Sequence, residues 1–264
     1  MTNLIKCEML KLKRKKIVPI IFILSIIVPI IFVIFINNQL ELGVYRNKVE
    51  AFDSLFDMTI VYGMQFLLPC ILGIMSTIIF FEERDNDTFK NLKVIPITST
   101  KLIFSKISLI FIYSILFCMF STIIVDILGG IVFISNDIFY KFIIAIDMGI
   151  FTALSILPLI ATIVFFSKTY VFSILLCIFW VSFNTLATAL YDVLPKALMW
   201  LLPTPLSLFW SSSKLYSRGL NLDLTILQKL NLIPNDIEIV LILSIIGIIS
   251  IILIDFIYRK RSEY

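Results

Sequence analysis

Apolar and polar residues alternate along this chain in long blocks. Six runs of roughly 20 mostly apolar residues, at 17–37, 58–81, 107–125, 142–166, 170–190 and 237–258, are separated by polar segments. A run of that length crosses about 30 Å of hydrocarbon as an α-helix, and the short alternating segments of a membrane barrel are absent. The pattern therefore predicts an all-α, polytopic membrane protein in which residues 1–264 form a single transmembrane domain of six transmembrane helices.

The segments between the runs each have a reading of their own. In 1–16, Ile5, Met9 and Leu12 recur at helical spacing among Lys6, Lys11, Lys13, Arg14, Lys15 and Lys16, which predicts a basic amphipathic interfacial helix. The run that follows is too long for the core of a signal peptide and leads into no small-residue cleavage site, so it reads as span one. Residues 37–57 carry Glu41, Arg46, Lys48, Glu50, Asp53 and Asp57 and read as an outside loop. Lys106 is placed to snorkel at the inner end of span three, and Asp126, Gly129 and Gly130 mark the turn at its outer end. Ser167-Lys168-Thr169 is so short that spans four and five must be antiparallel neighbours.

Residues 191–236 form the longest outside segment and are unusually apolar for a loop. The stretch 197–210 is broken by Pro203 and Pro205 and is too short to span. It predicts either a re-entrant or interfacial helix pair, with Trp200 and Trp210 in the interfacial belt, or a lid packed on the outer ends of spans five and six.

Composition sharpens this picture. At 60% hydrophobic residues and a mean hydropathy of +1.05, the chain exceeds what a soluble globule carries. Of its 22 lysines and arginines, 15 fall in 1–16, 82–106, Lys168 and the C-terminal Arg259-Lys260-Arg261, and 7 fall in the remaining segments. That asymmetry puts both termini in the cytoplasm.

Histidine is absent, and Cys7, Cys70, Cys118 and Cys177 have no metal-binding spacing, so neither a metal nor a cofactor is expected in this chain. Nothing in it suggests a nucleic-acid partner. Within the apolar runs, Asp255 lies four residues before Arg259 and reads as half of a local ion pair. Asp147 is expected to reach headgroups near Lys141 or to line a vestibule. Ser155, Thr162, Ser182, Asn184 and Thr185 read as groups that hold helices together. These residues do not compose a catalytic cluster, so no catalytic residue is assigned and the chain is not expected to be an enzyme. No phosphate-binding Gly-x-x-x-x-Gly-Lys-Ser/Thr motif occurs, so any ATP is hydrolysed by another polypeptide.

The most informative polar segment is 82–106. Asp85 and Asp87 can cap a helix and Pro96 cannot continue one, which bounds a short helix near 88–94. Phe89 and Leu92 share a face of it while Lys90 and Lys93 stay wet. Spacing alone fits either a docking knob or a loop helix resting on lipid headgroups. Glu83-Arg84, Thr88, Leu92, Pro96 and Lys106 resemble the loop between the second and third spans of ABC-2-type transporter permeases. The wording Asp-Thr-Phe-Lys-Asn-Leu with a later Pro-Ile resembles the lantibiotic-immunity and bacitracin-type permeases; Asp87 departs from the glycine that many members carry there.

The resemblance implies that 82–106 is a cytoplasmic coupling loop whose helix seats in a groove of a separate ABC ATPase, through Glu83, Thr88, Phe89, Leu92 and Pro96. It further implies two such ATPase subunits holding ATP and magnesium, a second permease copy or paralogue, and a place in a bacterial plasma membrane among its lipids. An amphiphilic antimicrobial peptide would be the exported cargo, met at an extracellular mouth containing Trp200, Pro203, Pro205 and Trp210. Another cargo (a lipid-linked glycan, drug or ion) and a non-transporting membrane scaffold or sensor are the alternatives.

Overall fold

Where a chain enters hydrocarbon, its backbone N–H and C=O groups must be satisfied within the segment, and a helix does this. The computed structural model describes residues 2–85, 98–166, 169–218 and 225–262. These are helical almost throughout, with no strand among them. In chain order the helices are α1 (Thr2–Lys13), α2 (Ile17–Glu41), α3 (Lys48–Met58), α4 (Leu68–Asp85), α5 (Ser99–Val132) and α6 (Ile138–Phe165). They are followed by α7 (Tyr170–Ala189), α8 (Lys196–Leu201), α9 (Pro203–Tyr216), α10 (Thr225–Lys229) and α11 (Asp236–Ser262). A π-helical stretch, Thr59–Leu67, joins α3 to α4 without a break. Six helices, counting α3 to α4 as one, are long and apolar enough to cross a membrane, so the chain is a multi-pass membrane protein.

Span two is longer than its apolar run because its first turns are polar on one side only. Asn47 is extended and accepts a hydrogen bond from the Glu50 N–H at 2.8 Å, while a Glu50 carboxylate oxygen accepts from the Arg46 N–H at 2.9 Å. This reciprocal cap starts the helix at Lys48. Phe52, Leu55 and Phe56 then drive it into the core, so the second half of the supposed outside loop is helix. The π-helical stretch ends just before Pro69, which has no N–H to continue the ordinary ladder.

The long helices meet where small residues permit it. A Cβ on Gly149 would stand 2.9 Å from the backbone Cα of Ile115, and there the Ser114 hydroxyl donates to the Gly149 carbonyl at 2.7 Å. Gly129 lies within α5 and not in a turn; a Cβ there would fall 2.7 Å from the Phe52 ring. Pro29 deprives the Ser25 carbonyl of its helical donor, and the Ser121 hydroxyl of α5 supplies one at 3.0 Å.

The polar residues expected to join spans behave differently. Ser155, Thr162, Asn184 and Thr185 all bond carbonyls of their own helix, and the bonds between helices come from other groups, among them Ser114, Ser121, Thr152 and Gln65. The amphipathic helix α1 packs Leu12 inward against the bundle, while Met9 faces out.

Candidate functional site

The candidate residues lie at two ends of the bundle. At one, α4 and α5 flank the 82–106 segment. Glu83 lies in the last turn of α4, whereas Thr88, Phe89, Leu92 and Pro96, and with them the expected helix near 88–94, lie outside the described residues.

What the structure describes at this end is the frame on which the segment is mounted. Lys106 does not snorkel: it is fully buried, donates to the Ile79 carbonyl at 2.6 Å and lies 5.3 Å from the centroid of the Phe80 ring. One cation thus ties α4 to α5 close to the point where the chain leaves them. Phe80 meets Tyr258 of α11 edge-on at 6.5 Å, and Phe81 meets Tyr170 of α7 at 5.1 Å. Arg259 pairs with Asp255 at 2.9 Å, as their spacing predicts, and donates to the Thr100 hydroxyl at the start of α5 at 2.7 Å. The α4 end is therefore held by α7 and α11, the α5 end by α11, and the two ends by each other.

At the opposite end, α8 and α9 form a short helix pair seated on the bundle. Pro203 starts α9, where a missing N–H costs nothing, and it is buried, as is Pro205. The pair is latched from below: Gln65, in the π-helical stretch, donates to the Ser207 hydroxyl at 2.8 Å. Trp210 is not in a lipid-facing belt. It is buried at 6% exposure, meets Phe151 edge-on at 5.1 Å and donates its indole N–H to Asp236 at 2.7 Å. Trp200 is half-buried, with the Lys196 ammonium 4.6 Å from its ring centroid.

Two ionic features of this end go beyond the sequence reading. Lys141 and Asp53, expected among outside charges, form a buried ion pair; the lysine also donates to the Asn136 carbonyl at 3.0 Å and sits 4.1 Å from the centroid of the Phe52 ring. Asp147 takes no part in that pair. It opens on a cleft of about 510 Å³ between α6, α9 and α11, beside Lys214 and Asp236, which pair at 2.8 Å. The Phe52 and Phe56 faces at helical spacing in 48–58 were the available signal for the first feature. The second joins residues 147, 214 and 236, and no local pattern announces it.

Compared with known proteins, residues 4–184, more than half of the chain, match the model of the ABC-2 family transporter protein. The match runs from α1 into the fifth span and includes 82–106; α8 to α11 lie beyond it. No curated protein matches the chain.

Proposed function

From the premise that this chain belongs to the ABC-2 family of transporter proteins, and is a membrane permease of an ABC exporter that partners an ABC ATPase, we propose that the exported cargo is an amphiphilic antimicrobial peptide and that export protects the cell. Two ATPase subunits hold the ATP and magnesium. A helix near 88–94 seats in each ATPase, with Phe89 and Leu92 as its apolar ridge and Glu83, Thr88 and Pro96 framing the turn. A second permease, a copy or a paralogue, completes the complex. Both termini face the cytoplasm, a reading supported by the basic residues of 1–16, 82–106 and 259–261. On that orientation, α8 and α9 lie at the extracellular mouth.

The observation that carries the coupling half of this reading is the frame around 82–106, in which Lys106, Phe80, Phe81 and Arg259 bind the two flanking helices to each other and to two further spans. For the cargo, the support is the wording of 82–106 together with the Trp-containing helix pair. An amphiphilic peptide partitioned into the outer leaflet reaches apolar and aromatic surface there without leaving an apolar environment.

Expression with the ATPase and partner permease should raise the tolerated dose of a lantibiotic, and only with a hydrolysis-competent ATPase. Trp200→Ser should lower that tolerance without preventing assembly, whereas the buried Trp210 is unsuited to the test because its loss unpacks α9. Protection by an ATPase-dead complex would mean sequestration, and protection against no membrane-active peptide would move the cargo to a lipid-linked glycan, drug or ion. The orientation is tested by single-cysteine labelling on a cysteine-free background: position 218 should react with an impermeant reagent from outside and position 90 should not, and the reverse pattern would invert the topology.

A further inference from the structure

The cleft between α6, α9 and α11 has the size of a ligand site, about 510 Å³. Its walls are apolar, with Ile143, Ile150, Leu154 and Val240 among them. Ile143 and Val240 are also exposed on the outer surface of the bundle, so the cleft opens sideways toward hydrocarbon. Its charged groups, Asp147, Lys214 and Asp236, lie together, with Asp147 midway along the α6 wall, and Ser244 adds one hydroxyl two turns along α11 from Asp236. From Asp147 inward the α6 wall turns apolar through Ile150 and Phe151 to Leu154, two turns or about 10 Å away, so this half of the cleft passes from charge to hydrocarbon as a lipid does from headgroup to chain.

Three titratable side chains line the cleft, two carboxylic and one amine. Asp236 is occupied: Lys214 pairs with it at 2.8 Å and the Trp210 indole donates to it at 2.7 Å. Asp147 has no hydrogen bond or ion pair among the described residues, and it stands within a membrane-spanning helix, where an unpaired carboxylate is costly. Two carboxyl side chains thus face one ammonium, and the oxygens of Asp147 accept from no described residue. A protonated amine supplies both the charge and the N–H groups; a neutral alcohol lacks the first and a quaternary ammonium lacks the second.

We infer that this cleft binds an amphiphile carrying a primary ammonium on an apolar chain, with the ammonium on Asp147 and the chain running past Ile150 and Leu154. The inference does not rest on the peptide reading, since the geometry specifies the headgroup chemistry whatever cargo is exported.

Full-length protein in phosphatidylcholine nanodiscs, assayed by scintillation proximity with radiolabelled dodecylamine and with empty nanodiscs subtracted, tests it. Saturable binding of one dodecylamine per chain is expected, with dodecanol at least tenfold weaker. Asp147→Asn should raise the Kd for dodecylamine about tenfold, and Leu154→Trp, which fills the apolar end and spares the carboxylate, should abolish saturation. Each variant must keep the wild-type elution volume on size exclusion; the comparison of the two ligands on the wild-type chain needs no variant at all. Equal affinity for dodecanol, or unchanged dodecylamine binding in Asp147→Asn, would overturn the assignment and leave an apolar crevice. Nanodiscs containing phosphatidylethanolamine tell the sources of the amine apart: a weakened dodecylamine signal identifies a membrane aminolipid as occupant, and an unchanged one identifies an amphiphile without a phosphate. The assay contains neither ATPase nor peptide, so its failure is separate from a failure of the export reading.

Discussion

The two helices Lys48–Phe81 and Ile138–Phe165 live in a different solvent from the helices around them. In each of the two, 72% of the most apolar stretch is buried inside the molecule, against 28% in Ile17–Glu41, Tyr170–Ala189 and Asp236–Lys260. The central pair holds Gln65, Thr152, Asp53 and Lys141, each with a partner in neighbouring protein, and Gly149, with a close contact; Asp147 is an exception. Spans one and six instead turn Ile27, Ile31, Ile34, Ile245 and Ile252 outward, as lipid requires. Tyr170–Ala189 departs from the rule: it is as exposed as they are, yet it is the least apolar of the six. Its lower hydropathy comes in part from Ser173 and Asn184, which are buried, while the residues it turns outward, among them Val171, Leu175, Phe179 and Phe183, are apolar and suit lipid as well.

The sharpest way to break the comparison is to strand a charge in the central pair. Lys141→Met leaves Asp53 buried without its cation, which typically costs roughly 3–5 kcal/mol. Thermal unfolding in detergent should show a marked loss, and most of it should return in Asp53→Asn with Lys141→Met. No loss in the single variant would mean that the pair contributes nothing to this end of the bundle. A smaller effect separates two glycines. Gly149→Ala presses on the Ile115 backbone, which cannot yield as a side-chain tip does, and should cost about 1–3 kcal/mol. Gly130→Ala meets nothing nearer than 4.0 Å and should raise stability by up to about 1 kcal/mol by restricting the unfolded chain. Equal effects in the same melting assay would erase the distinction between packed and open helix surfaces.

Much of the central and peripheral helices was legible in the hydropathy pattern, because block length and apolar content are properties that a bilayer reads directly. The spacing of Asp255 and Arg259 likewise announced a contact one helical turn away. What was not legible depends on pairing at long range. Polarity alone assigned Asp53 and Lys141 to the outside, although each has its partner 88 positions away in sequence. Lys106 has the position of a snorkelling residue, but its partner, the Ile79 carbonyl, lies across the helix pair and 27 positions away in sequence. Ser155 and Thr162 read as bridges, yet they return to their own backbone, since a hydroxyl finds the nearest carbonyl one turn back before any other. Trp210 read as an interfacial anchor because composition cannot reveal that Asp236 accepts its N–H.

The central claim is that ATP hydrolysed on another polypeptide drives this permease through 82–106. Its most direct test is the amount of ATPase that copurifies with the full-length chain from membranes when Phe89 and Leu92 are both changed to Asp. Two charges in a desolvated contact typically cost several kcal/mol, so the account predicts that the ATPase is lost while the permease is inserted and folded at wild-type yield. Copurification at the wild-type ratio would contradict it and remove 82–106 as the coupling element.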